Sequence, residues 1–281
     1  MKRLLFCLVA IFVSLTALAQ KEIVVDAQPP AYLKFQHPPF VLDGYTMVPL
    51  REVCEAFGIS IDLDTDSIYL IGEINGDKID AEISLKSDPS DIADAADRAR
   101  FLQRLPEKGN IVTFVPARLI EELIRLPITK DGNLLTIGGA TWQVEGKLIV
   151  IDLSKQKVNA FEGLKQVYEC RTCTGAYDPK NNKYPTPIGI FETYMRSPGK
   201  FVGRFGPMYW PTFFNGSVAL HNCPSDRNVK KTPDSHGCCR LKRNDRIWLW
   251  DWIPGKMPSS VKEGKLWYIP KIDRIPVYVI P

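Results

Sequence analysis

One stretch of the chain reads Val218-Ala-Leu-His-Asn-Cys-Pro-Ser-Asp-Arg-Asn-Val-Lys-Lys-Thr-Pro-Asp-Ser-His-Gly-Cys-Cys-Arg-Leu241. It holds two of the chain's three histidines, His221 and His236, and Cys238 stands two residues after the second of them. A thiol attacks as its thiolate, and an adjacent imidazole can raise the thiolate fraction. Gly237 lets backbone and substrate approach the thiol closely, and backbone N–H groups around such a turn can bind a developing oxyanion. The stretch therefore predicts acyl transfer with Cys238 as the nucleophile.

The pattern of this stretch resembles a known family. Ser235-His-Gly-Cys-Cys-Arg240, preceded by His221, is similar to the signature of the L,D-transpeptidase catalytic domain (YkuD-type). Two further segments agree: Thr186-Pro-Ile-Gly-Ile-Phe191 resembles the family's Thr-Pro-x-Gly-x-Phe turn and strand, and Ile149-Val-Ile-Asp-Leu-Ser-Lys-Gln-Lys157 resembles its opening strand. The resemblance covers residues 145–281. It implies a mainly β catalytic domain, a β-sandwich with one helix.

The same resemblance assigns roles within the motif. It implies that Cys238 is the nucleophile and that His221 is the general base, which takes the thiol proton and later activates the acceptor amine. His236 is similar to the family's second histidine, which shapes the turn and helps to bind the substrate. Ser235 and Gly237 resemble the supports of that loop. The natural oxyanion donors are the backbone N–H groups of Gly237 and Cys238.

Substrate contacts are expected from two places. Arg240 matches the Asn/Arg position of the signature, where it fixes the loop or pairs with a substrate carboxylate. The segment 196–216 combines aromatic and basic residues and is predicted to be a loop that forms a cleft wall for an anionic peptide. Ordinary packing of these aromatics is the alternative. The candidate substrate-binding residues of this segment are Lys200, Arg204, Tyr209 and Trp210.

The resemblance also implies a reaction. Cys238 would attack the carbonyl of the third residue of a peptidoglycan stem tetrapeptide, a diaminopimelate, and D-Ala would leave. The side-chain amine of a second stem would resolve the thioester and form a 3-3 cross-link, with no metal or organic cofactor. If water replaced the amine, the enzyme would be an L,D-carboxypeptidase.

Other readings of the motif stay open at this stage. The side chains of His221, Cys223, His236, Cys238 and Cys239 offer enough nitrogen and sulfur ligands for a structural zinc site. A non-catalytic protein that binds the cell wall is a further alternative. Within the family pattern, Cys239 occupies the position of a small apolar residue, and a second thiol beside the nucleophile invites oxidation.

The start of the chain predicts export. Residues 1–20 combine a basic start, an apolar run of fifteen residues and small residues at Ala17 and Ala19. This composition is typical of a signal peptide, residues 1–19, that is cleaved after Ala19, and the run is shorter than the ~20 residues that span a bilayer. We therefore expect a secreted protein of the periplasm or cell wall that is not an integral membrane protein after cleavage. The net charge falls from +4 to +2 on cleavage, which gives no electrostatic case for binding nucleic acid.

Six cysteines remain after the predicted cleavage. An oxidising compartment favours disulfides, yet one thiol must stay free if Cys238 is catalytic. Cys170 and Cys173 lie on a predicted strand, where a spacing of three places them on opposite faces, so a redox Cys-x-x-Cys motif is not favoured. The pairing of Cys54, Cys170, Cys173, Cys223 and Cys239 stays open.

An internal repeat occupies the preceding segment. Residues 47–55 and 114–122 align at an offset of 67, and the matched pairs are Val48 and Val115, Pro49 and Pro116, Arg51 and Arg118, Glu55 and Glu122, and Ile61 and Ile128. The repeat, in units of about 38–85 and 105–139, resembles the copper amine oxidase N-terminal domain. It predicts a small α+β domain over residues 20–140, with each proline in a first helical turn. The family name does not imply a copper site here, because this segment has one histidine and one cysteine. A structural scaffold is favoured over a wall-binding surface.

Patterning and turn residues predict the remaining elements. Strands are expected at residues 61–71, 134–137, 148–153, 158–161, 166–174, 189–195, 217–221, 266–269 and 277–280. Asn244 is predicted to cap a helix that runs to Ile253, and Ser90 to cap a short helix that ends near Arg100. His37 is predicted to lie in a surface loop.

Overall fold

The computed structural model of the chain describes residues 31–85, 102–181 and 183–281. The predicted signal peptide and the predicted helix between Ser90 and Arg100 lie outside these ranges. The described residues form a mainly β protein with three α-helices. No helix in this part of the chain is long and apolar enough to cross a membrane.

The first repeat is a hairpin, a helix and a three-stranded meander. Its elements are β1 (Phe40–Leu42), β2 (Tyr45–Pro49), α1 (Leu50–Ala56), β3 (Ser60–Leu63), β4 (Ser67–Ile74) and β5 (Asp77–Ser84). Pro49 ends β2 and is the N-cap of α1, one position before the helical turn in which the sequence predicted it. The predicted single strand 61–71 is also wrong, because a turn between Leu63 and Ser67 divides it into β3 and β4.

The second repeat has the same order of elements. They are β6 (Gln103–Glu107), β7 (Asn110–Pro116), α2 (Ala117–Ile124), β8 (Ile128–Asp131), β9 (Leu134–Ile137) and β10 (Ala140–Gln143). The two copies meet through β2 and β7, which lie at the centre of a sheet of order β1-β2-β7-β6. Met47 pairs with Pro116, Val48 with Val115, and Pro49 with Phe114. Because Val48 and Val115 are equivalent positions, the repeats face each other about a local two-fold axis.

The C-terminal half contains one large sheet and one α-helix. Its elements are β11 (Lys147–Asp152), β12 (Lys157–Glu162), β13 (Lys165–Cys173), β14 (Gly189–Glu192), β15 (Met195–Arg196), β16 (Lys200–Gly203), β17 (Gly206–Asn215), β18 (Val218–Asn222), β19 (Cys239–Leu241), α3 (Arg243–Trp252), β20 (Trp267–Tyr268) and β21 (Pro276–Ile280). The strand order is β14-β21-β11-β12-β13-β19-β18-β17-β15-β20, and β16 pairs with β17. The predicted strands 148–153, 158–161, 166–174, 217–221, 266–269 and 277–280 recur with small shifts of their ends, whereas the predicted strand 189–195 is divided into β14 and β15, which lie in different parts of the sheet.

Helix α3 covers the half of this sheet that carries the motif. Leu249 and Ile253 pack in a core with Leu220, Cys239 and Leu241 of β18 and β19. The N-cap position of this helix is Lys242, and Asn244, which was predicted to be the cap, lies inside the first turn. Its first N–H group, that of Arg243, donates to Asp226 Oδ1 at 2.9 Å, so a distant carboxylate takes the place of the predicted cap.

The repeat region and the large sheet share a hydrophobic core. Phe40 of β1 and Phe114 of β7 each pack against the ring of Tyr278 in β21, with centroids 5.7 Å and 5.3 Å apart. Leu148 and Phe161 belong to the same cluster. The two parts are therefore joined by buried aromatic packing.

Phe114→Ala is expected to lower the free energy of unfolding by about 3–5 kcal/mol, because it leaves a cavity between the repeat region and β21. The matched control is Ile111→Ala on the same strand, whose side chain is 48% exposed. That control is expected to cost less than about 1 kcal/mol. Urea denaturation followed by circular dichroism measures both values, and equal losses would show that the shared core contributes little.

His37 lies in a loop before β1, as predicted, but it is half-buried between two carboxylates. Its Nδ1 lies 2.6 Å from Glu52 Oε1 and its Nε2 lies 3.0 Å from Glu107 Oε2. Glu52 also accepts the N–H groups of Gln36 and His37. The hydrogen bond to Glu52 raises the pKa of His37 above its ordinary value, against the opposing effect of burial. The imidazole thus links the chain before β1 to both repeats.

This link predicts a pH-dependent contribution to stability. Because the folded pKa of His37 is raised, the contribution is complete below the unfolded pKa of about 6.5 and is lost as the pH rises through the folded value. His37→Gln is expected to remove this loss, so the difference in unfolding free energy between wild type and variant shrinks with rising pH. Denaturation curves over a pH series measure it, and a difference that does not change with pH would contradict the prediction.

Candidate active site

Strands β18 and β19 bring the two ends of the motif together. They pair in parallel, with Leu220 opposite Cys239 and His221 opposite Arg240. Parallel neighbours need a crossover connection, and here residues 223–238 supply it. His221 therefore lies near the end of β18, and Cys238 lies immediately before β19.

A cavity of about 860 Å³ opens at this point. Five of the six predicted catalytic residues line it, and only Gly237 does not: the five are His221, Ser235, His236, Cys238 and Arg240. The hairpin of β16 and β17 forms another wall, to which Phe201, Arg204, Phe205 and Met208 contribute. The structure thus gathers the motif residues around a space that can hold a ligand.

His221 is held as a neutral imidazole. Its side chain is buried, and its Nδ1 lies 3.0 Å from the carbonyl oxygen of Asn222, so Nδ1–H must be the donor. Burial lowers the pKa of His221 to about 4, and the hydrogen bond to Asn222 only partly offsets this effect. Arg240 and Arg246 lower the pKa further. Near neutral pH the ring therefore carries its proton on Nδ1 and keeps a free lone pair on Nε2.

Cys238 is partly exposed in the cavity and is held as a thiol. Its Sγ lies 3.5 Å from the carbonyl oxygen of Ser217. Burial raises the pKa of Cys238, and the backbone N–H of Ala219 and the charge of Arg240 oppose this effect only in part. The resting pair of thiol and imidazole is thus uncharged, which favours general-base activation over a preformed ion pair.

Ser235 holds the turn that carries the thiol. Its hydroxyl donates to the carbonyl oxygen of Cys238 at 2.5 Å and accepts the N–H of Gly237 at 3.0 Å. Gly237 has φ +120°, a conformation that residues with a side chain rarely adopt. Since its N–H group is engaged, the expectation that Gly237 donates to an oxyanion is corrected. The N–H of Cys238 donates to none of the residues that the structure describes.

Thr186 and Gly175 hold this turn in place through hydrogen bonds. Neither was among the predicted site residues. The hydroxyl of Thr186 donates to the carbonyl oxygen of Gly237 at 2.7 Å and accepts the N–H of Gly175 at 2.9 Å. The segment Thr186-Pro-Ile-Gly-Ile-Phe191 was recognised in the sequence as a turn and strand, but nothing in the sequence indicated that Thr186 contacts the turn that carries Cys238.

Asp234 is a third residue near the site that the sequence analysis did not single out. Its carboxylate lies 2.5 Å from Lys183 Nζ, 2.5 Å from Lys230 Nζ and 3.9 Å from Arg240 Nη1. The hydrogen bonds from the two lysines lower the pKa of Asp234 to about 2. Asp234 therefore remains charged. It links Arg240 to Lys183 and Lys230, which lie in two different segments of the chain.

The comparison with protein families assigns both parts of the chain. Residues 146–278 match the family of L,D-transpeptidase catalytic domains. The C-terminal half is an L,D-transpeptidase catalytic domain. Residues 24–138 match the copper amine oxidase N-terminal domain, which precedes it. The two resemblances that the sequence predicted are confirmed.

Solved structures of L,D-transpeptidases resemble the chain at low identity. One, covering residues 123–326 of a Xylanimonas cellulosilytica protein, is 25% identical over 59% of this chain and 71% of that chain, with a TM-score of 0.36. Another, the catalytic domain from E. faecium, is 21% identical over 48% of this chain and 97% of that chain, with a TM-score of 0.32. A third, from Mycobacterium tuberculosis H37Rv, is 15% identical over 79% of this chain and 97% of that chain, with a TM-score of 0.35. The search of curated proteins found no match.

The predicted substrate-binding residues of the transpeptidase domain separate into two groups. The segment that holds them is not a loop but the hairpin of β16 and β17. Arg204 lines the cavity at the hairpin tip, whereas Lys200, Tyr209 and Trp210 do not. Lys200 and Tyr209 pair across the base of the hairpin, and the carbonyl oxygen of Trp210 accepts the Nε–H of the buried Arg246 on α3 at 2.7 Å.

His236 forms the contact between the motif and this hairpin. Its ring stacks on that of Phe205 with centroids 4.4 Å apart and planes 8° apart. Burial lowers the pKa of His236, and the charges of Arg240 and Lys183 lower it further. The second histidine is thus a neutral, stacked wall of the cavity near neutral pH.

The six cysteines of the described residues are all free thiols, and adjacent thiols differ in environment. Cys239 is fully buried in the core beneath α3, and burial raises its pKa strongly. Because side chains alternate along a strand, Cys239 points away from the face that Cys238 occupies. Among residues 31–85, 102–181 and 183–281, no group of three or more His, Cys, Asp and Glu side chains is arranged to hold a metal ion.

The uncharged pair predicts how the reactivity of Cys238 depends on pH. Since burial raises the pKa of the thiol, its alkylation by iodoacetamide is expected to keep accelerating above pH ~8.5, the ordinary pKa of a cysteine. Mass spectrometry of the labelled protein measures the rate, with Cys238→Ala as the control for other thiols. A rate that reaches a plateau near neutral pH would indicate a thiolate and imidazolium pair instead.

Proposed function

We propose that the protein is a secreted L,D-transpeptidase that remodels peptidoglycan by cysteine acyl transfer. One observation carries the proposal: the thiol of Cys238 and the unprotonated imidazole of His221 line the same cavity. The family match of residues 146–278 supports this class of enzyme.

The first half of the proposed reaction forms a thioester. His221 Nε2 takes the proton of Cys238 as the sulfur attacks the carbonyl carbon of the third residue, a diaminopimelate, of a stem tetrapeptide. The N–H of Cys238 stabilises the negative charge on the carbonyl oxygen. The C–N bond then breaks, His221 returns the proton to the nitrogen of the leaving group, and D-Ala departs.

The second half transfers the acyl group. The side-chain amine of a second stem attacks the thioester carbon and loses its proton to His221. The C–S bond breaks, and the proton returns to the sulfur of Cys238. The product is a 3-3 cross-link, and no cofactor enters either half. Hydrolysis of the thioester by water would give an L,D-carboxypeptidase instead.

The charge of the cavity supports an anionic substrate. Arg204 and Arg240 line it, and no Asp or Glu side chain is among its lining residues. The catalytic half, residues 146–281, contains 22 Lys and Arg residues against 11 Asp and Glu residues, a net charge of +11. We assign Arg204 and Arg240 to the carboxylates of the stem peptides, and His236 and Phe205 to the wall beside them.

The remaining assignments follow from the sequence. The signal-like residues 1–19 support secretion to the periplasm or cell wall, where peptidoglycan lies. The segment 20–140 is proposed as a scaffold. Its repeat arginine Arg118 stacks over Tyr45 at 4.2 Å, a packing role that supports this view over a wall-binding one.

Intact-protein mass spectrometry of the mature enzyme with a disaccharide tetrapeptide tests the function. The wild type is expected to form an adduct with loss of D-Ala, and Cys238→Ala is expected to form none. Cys170→Ala is the matched control, because its thiol is buried and does not line the cavity, and it is expected to retain the adduct. Products of dimer mass would identify a transpeptidase, and trimmed monomers would identify a carboxypeptidase.

The absence of an adduct in the wild type, together with zinc in the native protein mass, would overturn the enzyme assignment. The motif would then be a structural site. An adduct that survives in Cys238→Ala would instead assign the nucleophile to another thiol.

A further inference from the structure

Three backbone segments contact one another beside Cys238: the chain at residue 175, the chain at residue 186 and the turn 235–238 that carries the thiol. A Cβ atom added at Gly175 would lie 2.7 Å from Gly237 Cα and 2.8 Å from Thr186 N, so these segments touch without intervening side chains. Gly175 also pairs with Ser235 in an isolated bridge. The position of the turn is therefore set by direct contact with residues 175 and 186.

The side chain of Thr186 joins the other two segments of this junction. Its hydroxyl is buried, donates to the carbonyl oxygen of Gly237 at 2.7 Å and accepts the N–H of Gly175 at 2.9 Å, and the buried thiol of Cys239 also lies within hydrogen-bonding reach of it. Threonine is restricted at χ1, so the hydroxyl has little freedom to turn away. Thr186 does not line the cavity and is not placed to touch a substrate there.

The hydrogen bond from Thr186 fixes a peptide plane. The bond between Gly237 and Cys238 is trans, so its C=O and N–H groups point in opposite directions. Holding the carbonyl of Gly237 towards Thr186 directs the N–H of Cys238 the other way. The next carbonyl, that of Cys238, is held by Ser235 Oγ at 2.5 Å. Of the N–H groups at residues 236–238, that of Gly237 is engaged, whereas no described residue accepts those of His236 and Cys238, and the second of these belongs to the proposed nucleophile itself.

We propose that Thr186 is a positioning residue that orients the N–H of Cys238 as the oxyanion donor of the acyl transfer. This inference rests on the proposed function. A preorganised donor lowers the barrier because it does not reorient when charge develops on the substrate oxygen. Loss of the hydroxyl frees the Gly237 carbonyl, and the peptide plane can then rotate at a residue whose φ of +120° lacks side-chain restraint.

Two reactions of the same thiol separate this role from a general structural role. Alkylation of Cys238 by iodoacetamide creates no oxyanion, whereas acylation by a disaccharide tetrapeptide does. Thr186→Val keeps the shape of the side chain and removes the hydroxyl, and Thr186→Ser keeps the hydroxyl. Both rates are measured on the mature protein, with thermal unfolding as a check on the fold.

Thr186→Val is expected to be alkylated within about twofold of the wild-type rate and to lose about tenfold to a hundredfold in acylation, below the loss seen when an oxyanion donor is removed outright. The acylation loss should fall on kcat more than on KM, because the interaction strengthens in the transition state. Thr186→Ser is expected to recover most of the acylation rate. If the valine variant does not fold, Thr186→Ala carries the same comparison.

Each other outcome overturns a specific claim. Equal losses in alkylation and acylation would mean that Thr186 only supports the fold, and no loss in either would mean that Ser235 orients the turn without it. A wild type that is alkylated but never acylated would overturn the proposed function itself. The ratio of the two rates therefore distinguishes failure of the inference from failure of the function.

Discussion

The parallel pairing of β18 and β19 is the constraint on which the site depends. Parallel strands cannot be joined by a tight turn, so the chain must leave the sheet after β18 and return before β19. The return places Cys238 beside β18, the strand that carries His221. The crossover is itself secured by ion pairs at Asp234 and by hydrogen bonds at Ser235. The backbone geometry thus brings Cys238 and His221 to the same cavity, and the loop contacts hold the turn that carries Cys238.

Burial decides the protonation of this pair. Lowering the pKa of His221 from 6.5 to about 4 means that the protein disfavours the charged ring by about 3 kcal/mol. The same burial disfavours the thiolate of Cys238. An uncharged pair stores no electrostatic attraction before substrate arrives, so charge separation belongs to the reaction itself. The stabilisation of that developing charge then falls to fixed dipoles such as the N–H of Cys238.

The sequence predicted the elements whose signal is local. Strands of the C-terminal half follow apolar runs, and the motif is contiguous, so the fold and the candidate nucleophile could both be predicted from the chain. Thr186 and Asp234 could not be assigned roles, because their function lies in contacts with residues distant in sequence. Lys200 and Trp210 were predicted to bind substrate because aromatic and basic composition is typical of a cleft wall. They do not line the cavity, because the hairpin directs only part of that segment towards it. His37 likewise depends on carboxylates that the chain supplies 15 and 70 residues later.

Cys238 and Cys239 are adjacent in sequence, but the alternation of side chains along a strand places their thiols in different environments. The sequence places the two thiols side by side, and a second thiol beside a nucleophile invites oxidation. The strand that begins at Cys239 turns successive side chains to opposite faces, so one thiol lines the cavity and the other packs with Leu249 beneath α3. A residue of similar size and no reactivity would fill the second position equally well. The buried thiol is therefore tolerated because the sheet, and not the local sequence, keeps it out of the reaction.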